Sequence, residues 1–304
     1  MIERVVRFGD EQRLTGVLSS PIHRYVGLPA VLLLNAGVIH HIGAHRLNVK
    51  LARAVAEQGH LALRFDLSGL GDSLPSRETE GFRTQSVRDV QAALDCLERE
   101  TGCRSAVAIG ICSGADNGYE AALHDERLCG LVLLDPYAYP TPSARRRYLL
   151  CRATQARRWP GFLRRRAASL WRHLGMKSQG VSTGSSQPSG AAPDSIRNPP
   201  PIAEFGGNLK RLTRRGVRLL MVYTASMQAL VNAPGQVRAL LRPYGVDKGV
   251  QIVVKGDVDH TYTELAAQRQ LVADVLLWLK PGFATPASAV QLAEIPPSAS
   301  GHCC

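Results

Sequence analysis

A mostly parallel central sheet flanked by helices, the α/β class, is what the sequence predicts, and three observations predict it. Apolar runs of strand length alternate with stretches of helical periodicity. Several of those runs are apolar without interruption, as strands covered on both faces require. Each ends in small or polar residues where a sheet carries its chemistry.

The elements follow in order. "RVVRFG" and "RLTGVLSSP" read as a short antiparallel start, and "PAVLLLNAG" (29–37) as a buried parallel strand. Leu47, Leu51 and Val55 recur every four residues in the next helix, which Gly59 closes. "HLALRFDLSGLGDS" (60–73) is a strand and a tight turn; it has Gly69 and Gly71 but no third glycine for a dinucleotide fingerprint. Residues 86–102 form a helix striped by Val87, Val90, Leu94 and Leu97, with Ser86 and Asp89 resembling a capping box. A strand at 105–114, a helix from about 115 and a strand at 130–139 continue the alternation. Order resumes after an interruption with the helix "AEFGGNLKRLTRRG", a strand at 217–226, a helix near 233–243, a strand at 250–256 and a last amphipathic helix at 264–280. No internal repeat is present.

The interruption carries the charge. The chain has 304 residues and a formal net charge of +12. From Pro136 to Pro193 there is no Asp or Glu, while Arg145, Arg146, Arg147, Arg152, Arg157, Arg158, Arg164, Arg165, Arg166, Arg172 and Lys177 fall inside that stretch. The rest is near neutral, so the basic character calls for a local explanation. The organisation expected is a core of residues 1–139 and 205–280, a basic cap at 140–204 whose Ser/Gly/Pro-rich part near 177–201 is flexible, and a flexible tail at 281–304. Seven cysteines without CxxC pairs suit a reducing compartment. The N-terminus has neither a secretory signal nor an apolar run of the roughly 20 residues a span needs. A cytoplasmic protein is expected; the basic segment reads first as a cap that covers the pocket and attracts an acidic substrate, with membrane association as an added property and a solvated surface as the alternative.

The chemistry centres on "AVAIGICSGADNGYEAAL" (106–123), a strand, a sharp turn and a helix. Gly110 and Gly114 bracket Cys112 at the spacing a strained nucleophile elbow needs; shifting the frame to Ser113 would put bulky Ile111 where only a small residue fits. The alternative is a buried cysteine in a glycine-rich turn. A thiol nucleophile needs a base, and His260 in "KGDVDHTYTE" follows the last strand. Thr261 and Glu264 look like a capping box anchoring that loop. "YTASMQALVN" offers no acid after the preceding strand, so Asp135 in "LVLLDPYAY" is the best orienting carboxylate, with a turn-capping role as the alternative. The backbone N–H of Ser113 would face an oxyanion, joined by that of Ala36 or Val38 beside Gly37. His40 and Asp66 are expected at the pocket wall. Three histidines at 40, 41 and 45 without a Cys or carboxylate partner nearby in sequence make a weak metal motif, so no metal and no cofactor are expected.

Taken together, the elbow, "LLNAG", "RFDLSGLGDS" and "DVDHTYTE" resemble the α/β-hydrolase superfamily. "LNAGVIHHIGAHRLNVKLARAVAEQG" joined to "LRFDLSGLGDS" is similar to hydrolases that accompany bacterial exosortase and exopolysaccharide systems, relatives of dienelactone-type enzymes. The resemblance covers about residues 1–139 and 205–280. It implies the α/β-hydrolase fold with a basic cap inserted after the sixth strand, Cys112 as nucleophile and His260 as its histidine; dienelactone-type enzymes also carry cysteine there. The expected function is hydrolysis of an ester or thioester. Acyl transfer by the same pair and a catalytically silent binding protein at a membrane surface are the alternatives. The expected partners are a small or lipid-like acyl substrate and an anionic membrane touching residues 145–177, but not nucleic acid.

Overall fold

The computed structural model describes residues 1–154 and 197–283, except Val26, Thr79, Asp247 and Lys248. The strands are β1 (Ile2–Phe8), β2 (Leu14–Ser20), β3 (Ala30–Leu33), β4 (Ala62–Phe65), β5 (Ala106–Ile111), β6 (Leu128–Leu134), β7 (Arg218–Thr224) and β8 (Val250–Lys255). The helices are α1 (Leu47–Glu57), α2 (Phe82–Thr101), α3 (Ser113–His124), α4 (Pro142–Thr154), α5 (Ile202–Arg214), α6 (Pro234–Leu241) and α7 (Leu265–Phe283).

All eight strands form one sheet in the order β1-β2-β4-β3-β5-β6-β7-β8. β2 alone runs against the direction of the other seven strands. The two-residue period of a strand sorts its side chains to opposite faces. Leu32, Ala108, Leu133 and Met221 join one apolar cluster with Leu94 of α2, Tyr119 of α3 and Leu209 of α5. Their alternates Leu33, Ile109, Val132 and Val222 join another with Leu51 of α1 and Val275 of α7. Both faces are therefore sealed, which explains the unbroken apolar runs. From β3 the chain crosses to β4 on one side and then to β5 on the other. The crevice left beyond the carboxyl ends of β3 and β5 is the topological switch point.

Two local expectations are corrected. α2 starts at Phe82, so Ser86 is already helical; its hydroxyl donates to the Arg83 carbonyl and to Asn117 Oδ1. Asp89 accepts from the Ser68 N–H and hydroxyl (2.7 and 2.8 Å) instead of capping its own helix. At the start of α7, Asp259 organises the turn: its carboxylate accepts from the N–H and hydroxyl groups of both Thr261 and Thr263. In both places a tertiary or neighbouring acceptor outcompetes the local capping box. The Arg-rich stretch begins as α4, and α5 starts at Ile202. Residues 155–196 and 284–304, on which most of the cap and tail expectations fall, lie outside the described residues.

Candidate active site

Cys112 stands between β5 and α3 with φ 58° and ψ −124°, a left-handed position that costs a non-glycine residue strain. The turn is tight enough that a Cβ on Gly110 would overlap the backbone of Gly114, and one on Gly114 would overlap the Asn35 carbonyl. The two bracketing glycines are thus steric requirements of the bend. Its backbone is tied down by the Cys112 N–H donating to Leu134 O at 2.8 Å.

His260 arrives on the loop after β8. Its Nδ1 lies 2.6 Å from Asp135 Oδ2. Asp135 follows β6 directly and is fully buried, with φ 50°. The Thr224 N–H and hydroxyl, at the end of β7, each donate to this carboxylate at 2.6 Å. The register that sets Leu134 beside Val222 brings these two strand ends together. The Cys112 thiol and the His260 imidazole are close enough for each to shift the other's pKa. The structure therefore brings Asp135, His260 and Cys112 together at one place. Asp257 and Asp259, the sequence neighbours of His260, stay out of it.

The electrostatics follow from the geometry. Asp135, then Cys112, raise the His260 pKa to about 9 against the opposing effect of burial. Burial pushes the Cys112 thiol up, but the His260 hydrogen bond, the charge of Arg197 and the Ser113 N–H together bring it below its ordinary value. Both shifts favour a thiolate–imidazolium pair.

Arg197 is the member that sequence reasoning missed. Its Nη1 lies 3.4 Å from Cys112 Sγ. Its Nε and Nη2 grip the Asp116 carboxylate in the first turn of α3 (2.7 and 3.0 Å), and Nη2 also reaches the Asp135 carbonyl at 2.8 Å. Burial works against its charge, and Asp116 overrides that. The sequence offered one faint sign: Arg197 is the only Lys or Arg between Lys177 and Lys210.

The loop after β3 lies beside the thiol. The Gly37 N–H, with φ 59°, donates to Ser113 Oγ at 2.7 Å, so that hydroxyl is engaged with the loop. Ala36 is half-buried, and Val38 is 79% exposed, with its side chain turned to solvent. Asp66, after β4, clamps this loop from beneath. Its Oδ1 accepts from Asn35 Nδ2 (2.8 Å) and the His41 N–H (2.6 Å); its Oδ2 takes His41 Nδ1 (2.7 Å) and the Asp72 N–H (3.1 Å). Burial opposes and these donors outweigh it, holding Asp66 below the usual carboxylate range. A Cβ on Gly71 would run into this carboxylate. His40 Nε2 lies 3.0 Å from Asp72 Oδ2 and 3.4 Å from Asp66 Oδ2. His40, His41, Asp66 and Asp72 thus converge, with ligand atoms within 4.8 Å of one another. The Asp66 lone pairs already meet protein donors, so a cation at this cluster would have to replace the His41 Nδ1 contact with Asp66 Oδ2. The cluster works as a loop clamp.

No family model matches the chain, and no curated protein matches it in sequence. Solved structures do. An esterase from Pyrococcus furiosus matches with a TM-score of 0.59 at 15% identity, over 93% of this chain and 92% of that one. An α/β serine hydrolase without a lid from Xanthomonas campestris matches at 0.53 and 15%, over 93% and 97%. A dienelactone hydrolase-like promiscuous phosphotriesterase from metagenomic libraries matches at 0.53 and 16%, over 93% and 99%. The chain has the α/β-hydrolase fold. At these identities the likeness carries the architecture alone, and the site must be argued from its own residues.

Proposed function

We propose that this α/β-hydrolase fold cleaves ester or thioester bonds with Cys112 as nucleophile and His260 as its proton carrier. The observation that carries the reading is the position of His260, hydrogen-bonded through Nδ1 to the buried Asp135 carboxylate at 2.6 Å and near enough to Cys112 for the two to shift one another's pKa. The esterase and serine-hydrolase structures of the same fold support hydrolysis as the reaction class.

The cycle follows. The Cys112 thiolate attacks the carbonyl carbon, and the oxyanion that forms is met by the N–H of Ser113 and of Ala36 or Val38. The tetrahedral adduct collapses, and the departing alkoxide or thiolate takes the proton from His260 Nε2. A thioester now joins Cys112 to the acyl group. Neutral His260 takes a proton from water as that water attacks the thioester. Collapse releases the carboxylic acid and restores the thiolate–imidazolium pair. Asp135 holds the ring orientation and offsets the imidazolium charge throughout. An alcohol or thiol in place of water would make the same cycle an acyl transfer.

Turnover of a panel of aryl esters and acyl thioesters tests the reading. Cys112→Ala should remove turnover, and His260→Ala should lower it by about a thousandfold. Full turnover in Cys112→Ala would overturn it. Absence of turnover, together with no thiol-specific labelling at Cys112, would favour the silent binding protein.

A further inference from the structure

We infer that α4 is a docking face for an anionic lipid bilayer. Helical geometry arranges its described residues in a definite way. At 3.6 residues per turn, Leu149 and Leu150 fall on either side of Arg146, Arg145 and Arg147 flank them, and Ala144 and Tyr148 take the opposite side. The burial agrees. Ala144 is fully buried and Tyr148 half-buried, whereas Leu149 is 56% exposed, Leu150 is 66% exposed, and all three arginines are exposed. The helix is pinned by its inner side, through Asn232 Nδ2 donating to the Ala144 carbonyl at 2.9 Å.

Leu149 and Leu150 form an adjacent apolar pair facing water among three exposed arginines. The arginines around them give the face its chemistry. Guanidinium groups on long stems reach headgroup phosphates while the leucines enter the acyl boundary. No carboxylate lies between Pro136 and Pro193 to oppose an anionic surface, and nearly all of the +12 net charge belongs to that stretch. A protein partner would be expected to bring carboxylates to such a face as readily as apolar groups. The leucines centred among arginines match a bilayer interface better. Among the described residues no helix is long and apolar enough to cross a membrane, so the contact is peripheral. α4 leaves the carboxyl end of β6, the end that carries Asp135. A bilayer held there would present acyl lipids on the side of the molecule that bears Cys112, an implication that rests on the function proposed above.

Flotation of the full-chain protein with vesicles tests the docking. Vesicles of phosphatidylcholine with about one-third phosphatidylglycerol should carry the protein, and pure phosphatidylcholine should not. Replacing Arg145, Arg146 and Arg147 together by Gln should weaken partitioning by about a hundredfold, since each basic residue near such a surface is worth about fivefold. Leu149→Ser with Leu150→Ser should weaken it about tenfold or more. Both variants should keep the wild-type melting temperature and turnover of a soluble ester. Equal flotation of wild type and both variants would overturn the inference, as would no flotation with anionic vesicles, or binding of duplex DNA without binding of vesicles. Flotation without soluble-ester turnover in the wild type would leave docking standing and remove the Cys112 mechanism; turnover without flotation would do the reverse.

Discussion

Burial opposes the Cys112 thiolate while Arg197 and His260 favour it, and each of the two charges can be changed separately. Arg197 lies 3.4 Å from the sulfur and favours the thiolate. Arg197→Ala should therefore move the midpoint of Cys112 alkylation by iodoacetamide up by about one pH unit, with Arg197→Lys between the two. Alkylation needs only the thiolate, so its rate should rise once with pH and then hold. Turnover also needs the imidazolium proton. It should rise with the same acid limb and fall as His260 deprotonates near pH 9. Asp135 is the largest cause of the raised His260 value, so Asp135→Asn should move the basic limb of turnover to lower pH while leaving the alkylation plateau in place. Cys112, His260 and Asp135 were legible in the sequence because each stands at the end of a strand, where a local pattern can be read. Arg197 and Asp116 were not. They meet across 81 positions, and neither belongs to a local motif that marks the contact.

The strand-to-helix turn between β5 and α3 is the element on which the geometry depends. Gly110→Ala would force a methyl into the backbone of Gly114 and should cost about 3 kcal/mol in chemical unfolding, with loss of turnover. Gly118→Ala, one turn into α3, meets only the side chains of Leu34 and Ala108 (3.2 and 3.5 Å) and gains helix propensity; its stability should stay within about 1 kcal/mol of wild type. That contrast separates glycines required by the bend from one that merely occupies a helix. The spacing of Gly110 and Gly114 announced the elbow because steric demands are local. The helix starts were less legible. Ser86 and Asp89 have the spacing of a capping box, yet their partners come from Asn117 and Ser68, which only the folded chain brings near.

At the scale of the whole molecule, the alternation of apolar runs and helical stripes foretold a mostly parallel sheet covered on both faces. It could not foretell the strand order, because that depends on crossovers between segments whose patterns are alike. Among the described residues, the sheet brings residues 37, 112, 135 and 260 to one crevice, with an apolar cluster on each face.

The most direct test of the central claim is intact-mass and peptide analysis after mixing the protein with a slowly hydrolysed aryl ester or acyl thioester. The account predicts one acyl group per chain, mapped to the Cys112 peptide as a hydroxylamine-labile thioester, absent in Cys112→Ala and formed far more slowly in His260→Ala. An acyl group on Ser113, or turnover with no adduct on Cys112 under single-turnover conditions, would contradict it.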